Sequence, residues 1–227
     1  MNLKVLFAII LFYSISSNAQ ENNNRLSPQE LANGWELLFD GETLNGWRSY
    51  DEKNEIGWIV DEASLHYNGA KGVDDLMTAE MYGDFDFKFT WKTMGNSGVI
   101  YRVRAENQWG RPYQTGPEFQ VHDDAGEFNK NSTGSFYDVI ETSKDKKVLT
   151  YPAWNTGRIR LSNGLVTHWV NDVIVMQCEL YSEAWNEKVA QSKWKNNPYY
   201  GKSPFGHIDF QNHGAKVWYK DLKIKKL

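Results

Sequence analysis

Between Gly83 and Lys92 the chain reads GDFDFKFTWK, with Phe85, Phe87, Phe89 and Trp91 at every second position and Asp86, Lys88 and Thr90 between them. A period of two is the repeat of a β-strand, whose successive side chains point to opposite faces; a helix would scatter these rings around its axis. The stretch therefore predicts a strand with one face in a core and one in water. Similar runs recur at 99–103, 118–122, 158–161, 165–170, 173–180, 207–212 and 217–224. Asn163-Gly164, between two of them, is a two-residue hairpin signal, because both positions tolerate positive φ. At most a short helix is expected, around 181–188. Ten or more strands joined by such turns, with no repeat and no interior linker, predict one antiparallel β-sandwich. The lysines of KDLKIKKL (220–227) read as solvated strand positions that blunt a sheet edge.

Residues 1–20, MNLKVLFAIILFYSISSNAQ, carry Lys4, then an apolar run, then Ser17-Asn18-Ala19. This is the pattern of a secretory signal cleaved between Ala19 and Gln20, and its apolar run is short for a membrane span. Domain boundaries follow: signal 1–19, polar tether 20–33, folded domain 34–227. The one cysteine, Cys178, excludes an internal disulfide framework and sits in an apolar run, where it reads as a small buried hydrophobe. A net charge of -4, from 25 basic and 29 acidic side chains, argues against nucleic acid as a partner.

Polar residues fall on strand faces where an ordinary wet sheet would carry Lys and Thr. Glu118, Gln120 and His122 share the face opposite Phe119 and Val121. His207, Asp209, Gln211 and His213 lie opposite Ile208 and Phe210, and Arg102 falls on the register of Gly98 and Ile100. Arg, Glu, amides and His on one face build a surface able to hydrogen-bond a sugar. His122-Asp123-Asp124 offers nitrogen and oxygen donors, so a divalent metal near His122 and Asp123 stays open as a minority reading, and no cofactor is expected. No GxSxG elbow and no glycine-rich phosphate loop is present.

Several segments together, GWELLFDGETLNGW (34–47), LMTAEMYGDFDFKFTW (76–91), GNSGVIYR (95–102), EFQVHDD (118–124), TGSFYDV (133–139), WNTGRIRL (154–161) and GHIDFQNHGAKVWYKDLKIKKL (206–227), resemble the secreted bacterial family of 3-keto-disaccharide hydrolases. The match runs through nearly all of the mature chain in the family's order. It implies a concanavalin A-like jelly roll, in agreement with the sandwich above. It also implies a substrate already oxidised to a ketone at C3 by a separate sugar 3-dehydrogenase. A base removes the acidified C2 proton, donors hold the enolate at O3, the glycosidic oxygen leaves C1, and water adds to the enone. On matching positions, Glu118 and His213 become the candidates for base and proton donor, in an order the resemblance leaves open. An imidazole, with an ordinary pKa of about 6.5, suits either task. Arg102 is a candidate to polarise the keto oxygen or to pair with Glu118. Gln120, Gln211 and Asn96 are candidates for hydroxyl binding, and Asp123 for orienting His122.

Two other classes fit the same residues: a carbohydrate-binding lectin without catalysis, and a two-carboxylate glycosidase using Glu118 and an Asp. With 10 Trp, 12 Tyr and 11 Phe, the rings divide between core and sugar platforms. Phe85, Phe87, Phe89, Trp91, Phe119 and Phe210 are expected in the core. Trp109, Tyr113, Tyr137 and Trp154, near Gly- and Asn-rich segments, are the candidate platforms, with Trp154 equally readable as core.

Overall fold

The computed structural model describes residues 23–51, 56–106 and 110–227. The signal-like stretch and Trp109 lie outside the described residues. In chain order the strands are β1 (Glu36–Leu37), β2 (Trp47–Ser49), β3 (Trp58–Asp61), β4 (Ser64–Tyr67), β5 (Leu76–Thr78), β6 (Phe85–Thr93) and β7 (Asn96–Val103). There follow β8 (Glu118–His122), β9 (Asn155–Ser162), β10 (Leu165–Val170), β11 (Val173–Glu179), β12 (His207–Phe210) and β13 (Val217–Lys226). Among the described residues three short helices, α1 (Pro28–Ala32), α2 (Pro112–Thr115) and α3 (Glu183–Ala190), sit between or before them.

The strands form two antiparallel sheets of a jelly-roll sandwich. The larger is ordered β11-β10-β9-β6-β13-β4-β3, with β1 also on β13, and the smaller β2-β5-β12-β7-β8. The period-two rings become its core: Phe85, Phe87, Phe89 and Trp91 project from β6 and are at most 1% exposed, and they face Phe119 and Phe210 of the other sheet. Burying each such ring stabilises the fold by roughly 1.5–3 kcal/mol. Phe210 and Tyr219 stack across the sheets with centroids 4.2 Å apart. At Asn163-Gly164 (φ 50° and 83°) and Asn171-Asp172 (φ 47° and 63°) the hairpins close with both turn residues in the left-handed region. Among the described residues no helix is long and apolar enough to cross a membrane.

Three features differ from the sequence reading. First, β13 is not an edge strand: it pairs with β6 on one side and β4 on the other. Alternation of Lys with apolar residues reveals which face is wet and says nothing about whether both edges are paired. Second, the described part of the segment read as a tether, residues 23–33, is built into the fold. Asn24 and Asp221 exchange two hydrogen bonds of 2.7 and 2.9 Å at a bulge in β13, and Ser27 and Glu30 form a capping box that starts α1. Glu30 also pairs with Lys223 at 2.9 Å. Third, β7 carries a bulge. Val103 pairs with His207 and Ile100 with Asp209, so Tyr101 and Arg102 together oppose Ile208. Arg102 takes φ 55° there.

Candidate active site

The register of the smaller sheet sets its outer face in rows. Met77, Asp209, Ile100 and Glu118 stand side by side across β5, β12, β7 and β8. Strands lie about 5 Å apart, so this row spans three such steps. Two residues along each strand on the same face come Asp75, Gln211, Gly98 and Gln120. The Gln211 backbone N–H donates to the Gly98 carbonyl at 2.9 Å, which carries the pairing past the end of β12. Gly98 is where this face admits a carboxylate. A Cβ on it would sit 2.3 Å from Glu118 Oε1, so the Glu118 side chain lies across the bare backbone of the neighbouring strand.

A cavity of about 760 Å³ opens over the end of these rows. Glu118, Asp75 and Gln211 reach it from the sheet, and Asn96, Asn212 and His213 from the strand ends. Arg111 and Tyr113, on and beside α2, form one wall. Tyr137, Lys193 and Trp194 form the opposite one. Backbone hydrogen bonds fix that second wall: Tyr137 donates to the Glu118 carbonyl at 3.1 Å, and Lys193 N–H donates to the Asp138 carboxylate at 2.6 Å. The Lys193 ammonium lies 4.0 Å from the Tyr137 ring centroid and 4.5 Å from that of Trp194.

Burial dominates the electrostatics. It pushes the Glu118 carboxyl up to about 8, with Lys193 opposing the shift and Asp75 adding to it. Burial also raises Asp75 to about 7, against a 2.8 Å hydrogen bond from the Asn212 N–H. Asp209 is fully buried, its carboxyl is raised well above the usual range, and neither oxygen has a hydrogen-bond partner among the described residues. The neighbouring carboxyls act in the same direction as burial: Asp75 disfavours charge on Glu118 and Asp209, and Glu118 does so on Asp209. Lys193 is pulled down by desolvation, and Glu118 and Asp138 hold it up. Asn96 lines the cavity with its side-chain oxygen unpaired among the described residues, as suits a sugar hydroxyl donor.

The sequence-selected residues divide cleanly. Glu118, His213, Gln211, Asn96 and Tyr137 come together here, as does Tyr113. Arg102, Gln120 and Asp123 do not line this cavity. The bulge at Arg102 breaks the alternation from which its direction was read and turns the side chain to the start of β6. There its guanidinium donates to Asp84 at 2.9 Å and to the Gly83 carbonyl at 3.3 Å, so the pairing with Glu118 is not made. Gln120 keeps its register but is roofed by the loop after β8: its Nε2 donates to the Asn131 carbonyl at 3.1 Å, and Phe136 bridges to Phe119. Asp123 accepts the Tyr151 N–H at 3.2 Å rather than orienting His122, and Asp124 is held in a buried 3.2 Å ion pair with Lys146. Among the described residues no three His, Cys, Asp or Glu side chains are grouped to hold a metal ion. Trp154 lies on the larger sheet's outer face, between the ammonium groups of Lys92 and Lys220 at 4.7 and 4.4 Å, away from this cavity.

Sequence reasoning missed Asp75, Asp209's buried state, Arg111 and Lys193. Asp74-Asp75 directly before an apolar strand, and a Trp flanked by Lys in an Asn-rich loop (190–200), were the available signals.

A β-sandwich with a deep polar cavity, floored by carboxyls and walled by aromatic rings, is the form of a carbohydrate-active protein. The particular kind follows from comparison. The chain belongs to the family of 3-keto-α-glucoside-1,2-lyase-like domains, which matches residues 34–225. It is 29% identical over 254 aligned positions to a 3-keto-disaccharide hydrolase of Bacteroides thetaiotaomicron, covering 96% of this chain and 87% of that protein. A crystal structure of a candidate glycosyl hydrolase from Parabacteroides distasonis superposes with a TM-score of 0.83 at 32% identity, covering 90% of this chain and 99% of that one. The carbohydrate-binding module CBM66 of Bacillus subtilis shares the fold alone, with a TM-score of 0.52 at 10% identity over 78% of this chain and 94% of the module.

Proposed function

We propose that the protein is a hydrolase that cleaves the glycosidic bond of 3-keto-glycosides by elimination followed by hydration. The observation that carries this reading is the Glu118 carboxyl, buried at the cavity floor and protonated up to about pH 8. A carboxyl so held suits the donor that protonates a departing glycosidic oxygen. His213, at the cavity's exposed rim, is then the base for the C2 proton. The electron pair of the C2–H bond moves to place negative charge on O3, where the Lys193 ammonium offsets it. The enolate re-forms the ketone as the C1–O bond breaks, and Glu118 gives its proton to the leaving oxygen. Water adds at C1 of the enone and a proton returns to C2, which yields the 3-keto sugar. Asn96 and Gln211 bind hydroxyls. A separate sugar 3-dehydrogenase supplies the oxidised substrate, and export after cleavage near Ala19-Gln20 places the enzyme outside the cytoplasm.

The test pairs a 3-keto-glucoside with its unoxidised parent. Turnover of the keto form alone supports the elimination, turnover of the parent indicates a two-carboxylate glycosidase, and binding of both without turnover indicates a lectin. Glu118→Gln is expected to lower kcat/KM by at least ~100-fold. In the wild type, kcat/KM should decline as pH rises past about 8, where the donor loses its proton. A rate that instead climbs through that pH makes Glu118 the base.

A further inference from the structure

The sheet that does not carry the cavity has a groove of its own. In the larger sheet the register turns Lys88 and Lys92 of β6, Arg158 and Arg160 of β9, and Lys220, Lys223 and Lys225 of β13 outward together. Asp86 on β6 and Asp221 at the β13 bulge are the acids among them. In the middle of this face Thr156 pairs with Thr90, and Thr90 with Lys220. The two short threonine side chains leave a dip across the strands between two taller rows. Trp169, Arg158, Lys88 and Lys223 form one row, and Trp154, Lys92 and Trp218 border the other side. The dip is a groove of about 550 Å³, with Asp172 toward one end and Asn23 toward the other.

Acids and rings hold its cations in different ways. Glu30 pairs with Lys223 at 2.9 Å, and Asp86 takes two hydrogen bonds from Arg158. Asp86 and then Asp172 favour the charged form of Arg158, and the Asp221 carboxylate accepts the Asn24 N–H. Lys88 instead lies 4.4 Å from the Trp35 ring centroid, and Lys92 lies 4.7 Å from that of Trp154 and 4.8 Å from that of Trp218. A ring quadrupole holds an ammonium in place but, unlike a carboxylate, leaves its positive charge whole. These lysines are therefore ordered in advance without being neutralised, on a chain whose net charge is -4. Such a patch draws an anion.

The form of the groove selects among anions. It crosses strands about 5 Å apart, so a chain with repeating charges meets more of its cations than a single phosphate would. Bases would have to displace the ammonium groups from Trp35 and Trp154 in order to stack, which single-stranded nucleic acid needs. The tryptophans are half-buried rather than projecting, so they do not reach below lipid headgroups. A polymer that bears both carboxylates and hydroxyls matches the lysines together with Thr90 and Thr156. We infer that the outer face of the larger sheet is a docking groove for an acidic polysaccharide, one with carboxylates on its pyranose rings. The cavity at Glu118 opens on the other sheet, so a docked chain leaves it open. This groove is independent of the reaction proposed for that cavity.

Calorimetric titration of the protein with polygalacturonate, and with dextran as the neutral control, tests this. The acidic polymer should bind and dextran should not. Lys88→Gln/Lys92→Gln should weaken binding at least ~tenfold, while Glu118→Gln should leave it within about twofold of the wild type. Polygalacturonate that fails to bind, or that binds the double variant as it does the wild type, overturns the groove. Acetylation of the wild type with limiting acetic anhydride needs no variant. Polygalacturonate should slow the modification of Lys88 and Lys92, and an unchanged rate at both overturns the assignment. Phosphatidylglycerol vesicles or a single-stranded oligonucleotide binding as tightly as polygalacturonate at the same ionic strength also overturn it, since the face would then read charge alone.

Discussion

Gly98 shows how much one missing side chain decides. Its bare Cα gives the Glu118 carboxyl somewhere to lie, since an added Cβ would come 2.3 Å from Oε1 and 2.9 Å from Cδ. The obstruction would meet the far end of a flexible side chain, so the fold can accommodate it by moving the carboxyl. Gly98→Ala is therefore expected to lower kcat/KM by at least ~tenfold with little change in melting temperature, and to add little to the loss already caused by Glu118→Gln. Equal losses that simply multiply in the double variant would show that the two positions act separately. Glu118 itself was legible in the sequence, because EFQVH fixes the face of each residue once Phe119 and Val121 are assigned inward. Its neutral state was not, because burial depends on Tyr137 and Lys193, which arrive from loops remote in the chain.

At the scale of elements, alternation was a reliable guide where strands run straight and failed where one does not. The strand at 118–122 and the hairpin at 163–164 lie where the pattern put them. Arg102 is the exception. A bulge is one extra residue, and a period-two pattern read through it assigns every later side chain to the wrong face. The same bulge lets Arg102 join the smaller sheet to the start of β6 through Asp84, with the guanidinium 7% exposed. Arg102→Met should therefore cost about 1.5–3 kcal/mol of stability, measured by urea unfolding, because a charged hydrogen-bond network is lost. KM should shift by less than about twofold, since the side chain points away from the cavity. A large KM effect without destabilisation would return Arg102 to the substrate. Short strands such as β2 and β5 had too few residues for any period to appear. They were placed only by pairing with partners far along the chain.

For the whole molecule, the outer face of the smaller sheet concentrates carboxyls whose folded pKa values are raised: Glu118 to about 8, Asp75 to about 7, and Asp209 upward by burial. Unfolded, such groups titrate near 4. Between those limits the folded state retains protons that the unfolded state has released. Their contribution to stability is thus fully present below about pH 4 and is lost as pH rises through the folded values. The protein should be less resistant to urea at pH 8 than at pH 5.5, and Asp209→Asn should flatten that slope. An unchanged slope in the variant would mean that Asp209 is not a titrating member of the group. This cost is tolerated because the same burial keeps Glu118 protonated for its proposed task.

The place of β13 has a consequence for how the molecule assembles. In the larger sheet, β11 to β6 lie on one side of it and β4 and β3 on the other, so no strand of either group touches the other without it. Until residues 217–226 are available, the chain holds two partial sheets with open hydrogen-bonding edges and no shared neighbour. Folding must then wait on contacts that span most of the sequence, which makes it slow and leaves those edges exposed to other chains. A factor that binds the incomplete chain has, in that interval, a substrate that the finished sandwich no longer presents.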